Sequence, residues 1–158
     1  MHFKSSVSLS ESTRNKLVER LNIHLANTLD LHSQVKQAHW TIKGPQFFAR
    51  HELFDAVAGH LREHADTTAE RVSTLGGYPE GTVRMTAKTS VIEPFETGHV
   101  AGGHLLRNLV TRMSKHASTI REMLTHVEAE DPVSADVLTE QLRAIELDMW
   151  FFESHFVE

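Results

Sequence analysis

Between Gly44-Pro45 and Gly76-Gly77 the chain runs for about thirty residues without a proline, and this stretch constrains the fold most. As a single helix it spans about 45 Å, at about 1.5 Å per residue. Proline suits a first helical position because its missing N–H would be unpaired there anyway. Gly-Gly supplies the usual residues for a left-handed cap at the other end. The spacing therefore predicts a long helix over 46–75.

Three further long helices are expected around it. Ser8 followed by Glu11 fits a capping box, so a first helix should begin near residue 9 and run to about Trp40. It carries an apolar stripe through Leu17, Leu21, Leu25, Leu29, Leu31, Val35 and Ala38. Residues 76–97 hold Gly, Pro and Thr with weak periodicity, one short helix being expected near 82–88. A connection this long reads as a crossover rather than a tight turn. A helix over 99–127 buries Leu106, Leu109, Met113, Ile120 and Val127. Asp131-Pro132 then reads as an N-cap with proline at the first position of a last helix, 132–156. No segment reads as a strand. An all-α four-helix bundle over 9–156 is expected, behind a short, poorly structured arm at 1–8, with the long crossover between its second and third long helices.

Composition removes several classes of function. The 158 residues suit one domain, and no apolar run approaches the eighteen or so needed to span a bilayer. The first residues lack the apolar core of a secretory signal, so a cytoplasmic protein is the default. There is no Cys, which excludes disulfides, thiolate metal sites and iron–sulfur clusters. A formal charge of −5 argues against a surface that coats nucleic acid.

What remains is hard-ligand chemistry. His39, His51, Asp55, Asp66 and Glu70 form a mixed imidazole and carboxylate set, suited to iron, zinc or manganese. With twelve His in the chain, several must be incidental. Yet residues 51, 55, 66 and 70 fall within a wedge of about 100° on one helix, with 51 and 66 about 22 Å apart along its axis. They share a face but are too far apart to hold the same metals. Two copies packed antiparallel about a two-fold axis near residues 60 and 61 would bring His51 and Asp55 of one to Asp66 and Glu70 of the other. His39 would join the first pair from its own chain. Ordinary di-iron bundles instead use two Glu and two Glu-x-x-His motifs inside one bundle, and no Glu-x-x-His is expected in this chain to supply that set.

The segments KQAHW, GPQFFARHELFD and DTTAERVSTLGG resemble the Dps family, ferritin-like proteins named for protecting DNA in starved cells. The resemblance extends from about residue 8 to the DMWFFESHF ending and is looser over 78–135. It implies a ferritin-like bundle and a di-iron ferroxidase centre shared between two subunits. Its ligands would be His39, His51, Asp55, Asp66 and Glu70, with Asp55 or Glu70 as the bridging carboxylate. Hydrogen peroxide would be the preferred oxidant of Fe(II), and ferric mineral would be stored in a dodecameric shell. Zinc is a candidate competitor at the centre. Asp131 and Asp136, with Glu140 a further turn on, match acidic positions lining three-fold pores. Glu52 is a candidate for seeding mineral and Trp40 for absorbing stray oxidising equivalents.

Two other readings belong to different classes. Nucleic-acid compaction would need basic arms, but the arm before the first helix carries only Lys4 and the chain ends in Phe156-Val157-Glu158. So few cations neutralise few phosphates, which argues against direct DNA binding. A helical bundle holding structural zinc or haem is the other. His60 and His64 are one turn apart and can bind a lone metal, though packing or solvation is the expectation for both. His99, His104, His116, His126 and His155 show no partner in the sequence.

Overall fold

The computed structural model describes residues 3–156. Four long helices, α1 (Glu11–Thr41), α2 (Phe47–Thr74), α4 (Gly102–Glu130) and α5 (Pro132–Glu153), form a bundle. A short α3 (Val83–Thr89) lies in the crossover from α2 to α4. Among the described residues the only β feature is an isolated bridge between Lys43 and Ala101. The expected four-helix architecture is present. None of the described helices is long and apolar enough to cross a membrane.

Helix boundaries moved where local hydrogen bonds decided them. Ser10, not Ser8, caps α1, its hydroxyl accepting from the Thr13 N–H at 3.1 Å. Thr13 then occupies the third helical position that Glu11 would have filled had Ser8 been the cap. Pro45 is not in α2. It sits in a turn closed by the Phe47 N–H donating to the Gly44 carbonyl at 3.2 Å, with Gln46 at φ 60° and ψ 24°. Proline at the second position and positive φ at the third are the marks of a type II turn, so α2 starts two residues after the proline. The other end matches expectation. The Gly76 N–H bonds to the Ser73 carbonyl and the Gly77 N–H to Val72, a Schellman cap with Gly76 at φ 81°.

α4 begins later than residue 99 because Lys43 N–H takes the Val100 carbonyl at 2.8 Å, holding 100–101 extended against the α1–α2 turn. It ends later because Asp131 alone joins it to α5. The Asp131 N–H closes the last turn of α4 on Val127, while its carboxylate accepts from the Val133 and Ser134 N–H groups. α5 stops at Glu153, short of the expected 156; residues 157 and 158 lie outside the described part. Residues 3–8 precede the first helix as expected, but they are tied down. Phe3 N–H bonds to the Gly76 carbonyl at 2.6 Å and the Ser5 hydroxyl to the Thr74 carbonyl at 2.9 Å.

The core draws on all four long helices, with Leu17, Leu21, Phe54, Leu61, Leu109, Met113, Leu138, Ile145 and Phe152 fully or almost fully enclosed. Leu29 of the expected stripe is only half-buried. At mid-bundle the interior turns polar. His24 Nε2–H donates to Gln141 Oε1 at 2.5 Å, and Gln141 Nε2 donates to the His64 carbonyl. The Thr28 hydroxyl donates to the His24 carbonyl and accepts from His116 Nε2–H at 3.1 Å. Thr68 also meets Gln141, so this network touches every long helix.

Candidate metal centre

The Gly44–Phe47 turn reverses the chain so that the end of α1 lies against the first turns of α2. There His39 and His51 stack, with ring centroids 3.7 Å apart and planes 21° from parallel. Each ring's Nδ1 lies on the other residue's backbone carbonyl, His39 to His51 at 2.9 Å and His51 to His39 at 3.0 Å. A carbonyl can only accept, so both Nδ1 atoms carry the proton. When neutral, both rings therefore present Nε2 as a lone pair. A backbone acceptor behind the ring is the usual device for orienting a metal-ligating histidine.

Asp55 lies one turn beyond His51 on the exposed face of α2. Lys36 of α1 reaches it with Nζ 2.5 Å from Oδ1. That hydrogen bond, more than the nearby His39 and His51 rings, holds the carboxyl below the usual carboxylate range. The same ammonium stands 5.9 Å from the ring centroid of Trp40, which is 69% exposed. Lys36 thus occupies one oxygen of the Asp55 carboxylate in the single chain.

The remaining two residues are elsewhere. Asp66 and Glu70 are exposed further along α2 and enter no ion pair among the described residues. A single chain therefore gathers His39 and His51 with Asp55 beside them, and leaves Asp66 and Glu70 about 20 Å away along the same face. Glu52 is exposed beside His51.

The other sequence-selected residues have separate surroundings. Asp131 is only 4% exposed. Besides capping α5 it is paired with the Arg71 guanidinium at 2.6 Å, so its carboxylate is engaged within the chain. Asp136 and Glu140 are exposed. His60 turns away from the α2 face described above and sets Nδ1 3.1 Å from buried Asp148, whose carboxyl burial pushes upward. His64 gives only its backbone carbonyl to the mid-bundle network, and burial of its ring lowers its pKa to about 4.

One cluster went unread in the sequence. Glu96, His99 and His104 bring one donor atom each to within 4.8 Å of one another, and no other three His, Asp or Glu among the described residues do so. The available signal was the Glu-x-x-His formed by Glu96 and His99 in the crossover, contrary to the expectation that the chain offers no such motif.

The chain belongs to the ferritin-like family: the ferritin-like domain profile matches residues 18–158, and the closer likenesses place it in the Dps branch. It is 36% identical to the DNA protection during starvation protein of Agrobacterium fabrum, over 98% of this chain and 96% of that protein. Among solved structures it resembles DpsC from Streptomyces coelicolor, with a TM-score of 0.95 and 31% identity over all of this chain and 93% of that one. It also resembles Dps from Microbacterium arborescens in its high iron form, with a TM-score of 0.88 and 26% identity, covering 94% and 97% of the two chains.

Proposed function

We propose that this chain is a ferroxidase and iron store that works only as an assembly. It oxidises Fe(II), preferably with hydrogen peroxide, at a two-iron centre built from two subunits, and holds the ferric product inside a cytoplasmic dodecameric shell. The observation that carries this reading is the division of the five residues on α1 and α2. His39 and His51 are braced by each other's backbone with Nε2 free, beside Asp55. Asp66 and Glu70 lie on the same face with no side-chain partner among the described residues. Two antiparallel copies of that face would complete two such sets. Iron here is substrate and cargo. Two Fe(II) ions held together give one electron each to a single peroxide, which takes up two protons and leaves as two waters. One-electron reduction, which releases hydroxyl radical, is thereby avoided.

Other observations support assembly. Trp40, Phe48, Leu147 and Trp150 are each at least half exposed in the single chain, apolar surface that association would cover. Zinc, with similar ligand preferences, is expected to compete at the centre. Compaction of DNA gains no support from the arm, which is pinned to the end of α2 and bears only Lys4. A gel shift at physiological salt is expected to show no complex.

Complementation tests the shared centre. One variant carries His51→Ala with Asp55→Ala, another Asp66→Ala with Glu70→Ala, each expected to be inactive alone. After mixing and reassembly, half of the dimers are mixed and each holds one intact centre, so about a quarter of wild-type centres should return. Peroxide consumption should recover at about one peroxide per two irons. Confirmed mixed dimers without recovered oxidation would overturn the proposal.

A further inference from the structure

We propose that Glu96, His99 and His104 form a second, mononuclear site for a divalent transition metal, built within one chain and independent of the Fe(II)-oxidising residues. The segment is constructed to hold these side chains together. Arg112 of α4 fixes the chain just before it, Nε donating to the Glu93 carbonyl at 3.2 Å and Nη2 to the Pro94 carbonyl at 2.5 Å. Gln34 of α1 donates to the same Glu93 carbonyl at 2.9 Å. Gly98, at φ 86°, then turns the backbone through a region that side chains disfavour and brings His99 back over Glu96. His104 enters from the first turn of α4, its ring centroid 3.9 Å from that of His99.

The donor geometry suits a small ion. Glu96 Oε2 lies 3.1 Å from His104 Nε2 and 4.0 Å from His99 Nε2. Tetrahedral ligands about 2.0–2.1 Å from a metal stand about 3.3 Å apart, a value these two distances bracket. Asn108, one turn beyond His104, sets its amide Nδ2 2.7 Å from His104 Nε2 and 3.0 Å from Glu96 Oε2. If that amide donates to both, His104 Nε2 and Glu96 Oε2 face each other as two acceptors, an arrangement a cation between them would relieve. Two imidazoles and one carboxylate are a borderline, non-thiolate set. It suits Zn(II), Co(II) or Fe(II) and leaves coordination positions open to water. The positive end of α4 opposes a cation here, and the Glu96 charge offsets it.

Metal binding by the assembled, chelator-stripped protein decides the matter, with Co(II) read by its visible absorption and Zn(II) by calorimetry. A His39→Ala/His51→Ala variant, which disables the proposed oxidising centre, should still bind one ion per chain and show an imidazole-ligated Co(II) spectrum. Adding His99→Ala and His104→Ala should remove that ion and that spectrum, with helical circular dichroism unchanged. Glu96→Gln, which keeps the side-chain shape, should weaken binding at least about tenfold. Absence of the Co(II) spectrum from the His39→Ala/His51→Ala protein would overturn the proposal, as would its persistence after both further substitutions. Neither result bears on the shared centre, whose test is peroxide consumption.

Discussion

Acid should loosen this bundle from the inside, and His24 allows the size of the effect to be worked out. Its ring is fully enclosed, Nε2–H donates to Gln141, and Nδ1 has no partner among the described residues. A second proton on Nδ1 would be buried without an acceptor, so burial lowers the pKa from 6.5 to about 4, slightly offset by the Gln141 hydrogen bond. The folded value is depressed, so on acidification the unfolded chain binds its proton first. The stabilisation is complete above about pH 7, falls as pH drops from 6.5 toward 4, and levels off below that. Between pH 7.5 and 5.0 the linkage relation with these two values gives about 2 kcal/mol lost through His24 alone. His64 and His116 are shifted the same way by burial and should add to it. Denaturant unfolding at both pH values, on wild type and on His24→Leu at equal concentration, isolates the term. Leu changes the baseline equally at both pH values, but it cannot take up a proton. The variant should lose about 2 kcal/mol less than wild type on acidification. Equal losses in the two proteins would refute the assignment of His24 as a buried neutral ring.

Asp131→Asn and Asp136→Asn should separate an acidic residue that holds the fold from one that serves iron. The first leaves the mostly buried Arg71 guanidinium without its charge partner and should cost about 3–5 kcal/mol in denaturant unfolding, as for other broken buried pairs. The second, on an exposed carboxylate proposed to line an entry pore, should slow iron uptake without altering circular dichroism, and unchanged uptake kinetics would remove Asp136 from that role. Gly76→Ala would place a Cβ 2.5 Å from the Phe3 carbonyl oxygen at φ 81°, so it should lower stability by about 1–3 kcal/mol and free the N-terminal arm to proteolysis.

The fold was legible because its dominant signal is long-range and periodic. Four apolar stripes and one long Gly/Pro/Thr-rich connection determine a bundle with a crossover whatever happens at the helix ends. The ends turn on single hydrogen bonds that two nearby residues can satisfy equally well, as Ser8 and Ser10 show. Pro45 shows the same limit: a proline before a helix satisfies both a first helical position and a type II turn. The α2 face could be read because helix geometry converts the numbers 51, 55, 66 and 70 into angles. The His39–His51 stack could not, since it depends on the path of a four-residue turn. Asp131 was expected to cap α5 and does. Its ion pair with Arg71, sixty residues away in the chain, had no local trace.

The polar middle of the bundle suits a metal poorly, which favours the proposed centre on an outer face. His24, His64 and His116 come from three different helices and approach the centre where an ordinary di-iron bundle gathers its ligands. Their network contains Gln141, Thr28 and Thr68 but no carboxylate. Buried Asp148, which lines a cavity with His64, is already taken up by His60, so a divalent ion among these rings would find little anionic charge to offset its desolvation. The same burial that lowers the imidazole pKa values also disfavours any other cation. Carboxylates that could carry two metals are kept on the exposed side of α2, where water solvates them in the single chain. On the proposed reading that location leaves half a ligand set on each subunit, and packing two α2 faces together would supply the other half.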